Sequence, residues 1–79
     1  MNVQNEKKLL EIFIVLFEFS NEPDLDELRQ ANVKIWDSLM IANLVMAVES
    51  EFKVSITNAE YEEFTSFRQI AAILNEKSI

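Results

Sequence analysis

Lys34 to Phe52, KIWDSLMIANLVMAVESEF, is the stretch that decides how the chain is read. Ile41, Leu44, Val45, Val48 and Phe52 recur at helical intervals and form one apolar stripe, which predicts a helix over Ser38–Phe52 packed on a core. A second row runs from Ser38 through Ala42 and Met46 to Glu49, and Leu39 and Met40 add apolar surface beyond the core stripe. One stripe suffices to pack a helix on a bundle, so the surplus points to a docking surface. The helix opens with Asp37-Ser38: Asp37 suits the N-cap, and Ser38 falls in the first turn, where backbone N–H groups and the helix dipole favour an anion. Plain capping is the simpler explanation of that pair when it is taken alone.

Outward from this helix the signals are also helical. Leu9, Ile12, Phe13, Leu16 and Phe17 share a face, with Glu11 and Glu18 opposite, and predict a first helix over Asn5–Phe19. EIFIVLFEF would also suit a strand, but no second convincing strand is available to pair with it. Ser20 to Asp37 loses the periodicity and carries the only proline, so it reads as a long loop with a short helical turn at Asp24 to Gln30. Leu25, Leu28, Val33, Ile35 and Trp36 are the residues expected to pin it. Thr57 and Glu60 have the spacing of a capping box and predict a short helix over Asn58–Glu63. Ser66 and Gln69 repeat that spacing before Phe67, Ile70, Ala71 and Leu74, which predict a last helix ending near Glu76. The expected fold is all-α, a small bundle of three main helices plus one short helix, in a single domain over 1–79.

Composition narrows the function. With no histidine and no cysteine, the chain lacks the usual neutral-pH base, a thiolate nucleophile and a cysteine-based zinc site, so no catalytic residue and no metal site is expected. The acids of NEPDLDE lack the glycine and ligand spacing of an EF-hand loop. A formal charge of −7 opposes nucleic acid and anionic membranes and favours basic protein partners. The most apolar run, Leu9 to Phe19, is interrupted by Glu11 and Glu18 and is well short of the roughly 20 residues of a membrane span. A cytoplasmic monomer that does not enter the membrane is the expectation.

WDSLMIANLVMAVESEFKVSI resembles the signature of acyl carrier proteins. Asp37-Ser38-Leu39 matches their DSL motif, Leu44 to Phe52 the segment that follows, and Ile56-Thr57-Asn58-Ala59-Glu60 the lead into the third helix. The likeness extends through Thr65-Ser66-Phe67 and agrees with the helix order read above. It implies an acyl-carrier-protein-like fold and a 4'-phosphopantetheine arm, covalent and derived from coenzyme A, on Ser38. A separate phosphopantetheinyl transferase, using magnesium, would add it with the help of Asp37. It further implies a carrier, not an enzyme, that holds acyl or aminoacyl groups as thioesters and delivers them to acyl-transferring or synthase enzymes with basic docking surfaces. Leu39, Met40, Ala42, Met46 and Glu49 would form the docking surface. Ile35 stands where the family usually has glycine, and Met40 and Asn43 stand where fatty-acid-synthesis members commonly carry acids. Fatty acid, polyketide and related pathways therefore all stay open. The alternative from the residues alone is an acidic helical adaptor that binds a protein partner through Leu39, Met40 and Met46 without a prosthetic group.

Overall fold

The structure, a computed structural model, describes residues 2–77. Its elements are α1 (Val3–Phe17), a 3-10 turn at Leu25–Glu27, α2 (Ser38–Phe52), a single-turn α3 (Asn58–Tyr61) and α4 (Phe67–Glu76). The all-α expectation holds. EIFIVLFEF is helical as far as Phe17, and the described residues contain no strand, only an isolated antiparallel bridge between Arg29 and Ser66.

Each helix begins where a short polar side chain can accept a backbone proton. Asn2 caps α1 by accepting from the Asn5 N–H at 2.8 Å, so the helix starts two residues before the Asn5 expected from the apolar pattern. Asp37 accepts from the Met40 N–H at 2.9 Å, and α2 spans Ser38–Phe52 as expected. Thr57 and Glu60 form both halves of the capping box, at 3.1 Å and 3.0 Å, although α3 ends at Tyr61, short of the expected Glu63. The bond that the Glu60 carboxylate accepts from the Thr57 N–H, and then its 2.9 Å ion pair with Lys77, hold that carboxyl below its ordinary range. Ser66 accepts from the Gln69 N–H at 3.0 Å and opens α4.

Two helices end without the glycine that usually serves there. Glu18 and Lys53 take left-handed backbone angles, φ 56° and 55°. In each case the cap and the next residue donate to one carbonyl: Glu18 and Phe19 to Ile14, Lys53 and Val54 to Glu49. The residue after each cap is apolar and folds back on the core. Phe19 leaves the helix that the pattern assigned to it and stacks on Phe17, with ring centroids 5.6 Å apart.

The core forms between α1 and α2 and is closed by α4 and the long connection. Leu9, Phe13, Leu44, Val48, Phe64, Phe67, Ile70 and Leu74 are fully buried. No polar side chain among the described residues is buried with them. Trp36 sits at the centre of an aromatic group, 5.2 Å from both Phe13 and Phe17, and its indole N–H donates to the Phe64 carbonyl at 3.1 Å.

The connection between α1 and α2 is tied to the rest of the chain along its length. The Gln30 N–H donates to the Thr65 carbonyl and the Phe67 N–H to the Leu28 carbonyl, each at 2.8 Å, and Asp26 pairs with Arg68 at 3.1 Å on the surface. Leu28 and Trp36 are buried and Leu25 and Val33 pack against the core, as expected. Ile35 does not. It is 51% exposed, because its neighbour Trp36 takes the inward position and consecutive residues in this turn cannot both point into the core.

Candidate functional site

The mouth of α2 is built by the two residues before it. Trp36 is locked by its indole and by the Gln30 side-chain amide, which donates to the Trp36 carbonyl at 2.9 Å. The Asp37 N–H then donates to the Ile35 carbonyl at 3.0 Å, closing a tight turn without glycine. Asp37 is extended (φ −104°, ψ −173°), its carboxylate accepts from Met40 and its carbonyl accepts from the Ile41 N–H at 2.9 Å. This arrangement presents Ser38 as the first helical residue with its side chain in solvent.

The docking row expected along α2 is placed unevenly. Leu39 and Met46 are 71% and 62% exposed and lie about 20° apart around the helix at roughly 100° per residue. Ala42 is half-buried between them. Met40 points elsewhere and packs against the core. Glu49 lies in line with Ser38, but its carboxylate accepts from the Ile56 N–H at 2.9 Å and so holds the connection to α3. Sequence patterns registered Glu49 as a surface acid because a bond across seven residues of irregular backbone leaves no periodic signal. Ile35 was missed as surface for a related reason: a strongly apolar pair, Ile35-Trp36, does not reveal which member turns inward.

Ser50 shares the exposed face and is the natural rival hydroxyl on α2. Its position in the last turn sets it apart, since an anion there meets the negative end of the helix dipole, whereas at Ser38 it meets the positive end. A phosphodiester on the Ser38 oxygen would extend into solvent without displacing any core side chain, so the local structure fits such a group. A shallow pocket of about 250 Å³ between α1 and α2, lined by Ile12, Val15, Leu16 and Ala47 among others, is separate from this site. Ala47 lies about 180° around the helix from Ser38 and about 14 Å along it.

The described residues include no cluster of His, Cys, Asp and Glu able to hold a metal ion, and no described helix is long and apolar enough to cross a membrane. Comparison with curated proteins and with solved structures gave no match. The model of one family, the phosphopantetheine attachment site, matches residues 36–74. The matched segment starts at Trp36 and so includes the turn, the capped mouth of α2 and the helices that close the core over it. The prosthetic group of that family is 4'-phosphopantetheine, and its members are carrier domains that meet a phosphopantetheinyl transferase and partner enzymes. The chain belongs to the phosphopantetheine-binding family, as an acyl-carrier-protein-like domain.

Proposed function

We propose that Ser38 is the attachment residue, and that the protein carries acyl or aminoacyl groups between enzymes of fatty acid, polyketide or related biosynthesis. The observation that carries this reading is the exposed Ser38 hydroxyl at the capped N-terminus of α2, within the matched segment. Loading would be a group transfer from coenzyme A on a magnesium-dependent transferase. The Ser38 oxygen forms a bond to the phosphorus of the pantetheine phosphate, the bond from that phosphorus to 3',5'-adenosine bisphosphate breaks, and the serine proton passes to a base of the transferase.

The chain's own residues position that oxygen. Asp37 fixes the first turn of α2 and, by the same acidic character, supplies a carboxylate beside the hydroxyl that a transferase-bound magnesium can meet. When bound, the prosthetic group supplies a terminal thiol for thioester formation, which the cysteine-free chain does not have. Tethering then replaces bulk diffusion with a high effective concentration at each partner. Leu39, next to Ser38, and Met46, about two turns further along α2, are both exposed and suit an enzyme surface that closes over the arm. The overall charge of −7 suits partners whose surroundings are basic, chiefly by steering their approach.

The test is intact mass after incubation with coenzyme A, magnesium and a broad-specificity transferase. One phosphopantetheine is expected on the wild-type chain and none on Ser38→Ala. A wild-type chain left unmodified while a control carrier is modified would overturn the proposal.

A further inference from the structure

We infer that the enzyme that loads Ser38 grips this carrier through an apolar anchor formed by Ile35 with Leu39, and not through ion pairs to α2. The inference rests on Ser38 being the attachment residue. Ile35 lies three residues before Ser38, hence within about 11 Å of it, and Leu39 follows it directly. An enzyme that brings a reactive phosphate to the Ser38 oxygen therefore has to cover both side chains. They are 51% and 71% exposed, and each presents a branched apolar group to solvent.

Ile35 is also held ready for contact. Its carbonyl accepts from the Asp37 N–H, and the next residue is anchored by an indole bond to Phe64 and by the Gln30 amide. An exposed apolar side chain on a backbone this firmly held loses little freedom when it is covered, which favours it as a binding anchor. A flexible loop would carry a larger ordering cost.

Charge on the same surface is nearly absent. Between Ser38 and Ser50 the exposed and half-buried face of α2 carries Leu39, Ala42, Asn43, Met46 and Glu49. The one acid there, Glu49, already accepts from Ile56. Around the turn, Lys34 and Asp37 are of opposite sign, and Asp37 is the carboxylate left to the transferase-bound magnesium. The bulk of the negative charge lies on other segments, among them the connection that holds Glu22, Asp24, Asp26 and Glu27. An enzyme complementary to this surface presents an uncharged recess at the contact, with any basic residues outside it.

Steady-state loading by a broad-specificity phosphopantetheinyl transferase, with coenzyme A and magnesium, separates the possibilities. Ile35→Asp is expected to lower kcat/KM at least about tenfold, through KM with kcat little changed, while Ile35→Val stays within about threefold. Glu49→Gln, which keeps an oxygen for the Ile56 N–H, is expected to stay within about threefold. Circular dichroism checks that Ile35→Asp remains helical, and Ile35→Ala provides a milder version of the same loss. The inference is overturned if Ile35→Asp and Ile35→Ala load as the wild type does, or if Glu49→Gln costs more than Ile35→Asp. Failure of the wild-type chain to load at all would instead overturn the assignment of Ser38, and this inference with it.

Discussion

The two ends of α2 solve the same problem in opposite ways. Each carries one carboxylate that accepts a backbone proton, Asp37 from Met40 and Glu49 from Ile56. At the N-terminal end the bond is local, three residues long, and it leaves Ile35, Ser38 and Leu39 facing solvent. At the C-terminal end the bond spans seven residues and, together with the left-handed Lys53, folds the chain back so that Val54 and Ile56 pack against the core. The difference lies in where the chain is anchored. Trp36 secures the N-terminal end from below, so its surface residues are free to meet other molecules, whereas the far end spends its surface acid on its own backbone.

The largest test of this contrast is Trp36→Ala. Removing a buried indole at the centre of the aromatic group is expected to cost about 3–5 kcal/mol, a large share of the stability of so small a domain. Denaturant unfolding measures it, and a cost near 1 kcal/mol would show that the turn into Ser38 is anchored some other way. At the opposite end, Glu49→Ala leaves the half-buried Ile56 N–H without its acceptor and is expected to cost about 1–3 kcal/mol in the same measurement. A neutral result there would return Glu49 to the role of a surface acid.

Asp37→Ala removes a cap and is expected to cost about 1 kcal/mol, with the damage confined to the first turn of α2, as amide hydrogen exchange would show. The smallest effect has the opposite sign. A left-handed non-glycine residue carries about 1–2 kcal/mol of strain and glycine adds about 0.5–1 of chain entropy, so Lys53→Gly is expected to stabilise by about 0.5–1 kcal/mol. A loss on this change would mean that the Lys53 side chain contributes more to the turn than its backbone costs.

These elements also show what the sequence made legible. The order of the helices, the bounds of α2, the capping box at Thr57 and the cap at Ser66 all follow from local rules, in which a side chain reaches a backbone group three residues away. Such rules operate within one turn and can be read from spacing. The end of α1 was harder, since Phe19 continues the apolar pattern of the helix and only the left-handed Glu18 takes it out. The pairing of Gln30 with Thr65 and of Leu28 with Phe67, the bond from Ile56 to Glu49, and the outward turn of Ile35 depend on which segments meet in space, and composition carries little trace of that. The place of Ser38 at the start of α2 was legible because a helix start is local, while the shape of the surface around it was not.

The most direct test of the central claim is to locate the arm. After loading, trypsin releases a peptide from Ile35 to Lys53 that contains two serines, Ser38 and Ser50, both exposed on α2. Tandem mass spectrometry of this peptide is predicted to place one phosphopantetheine on Ser38 and none on Ser50. The arm on Ser50, or on a peptide outside residues 35–53, would contradict the account.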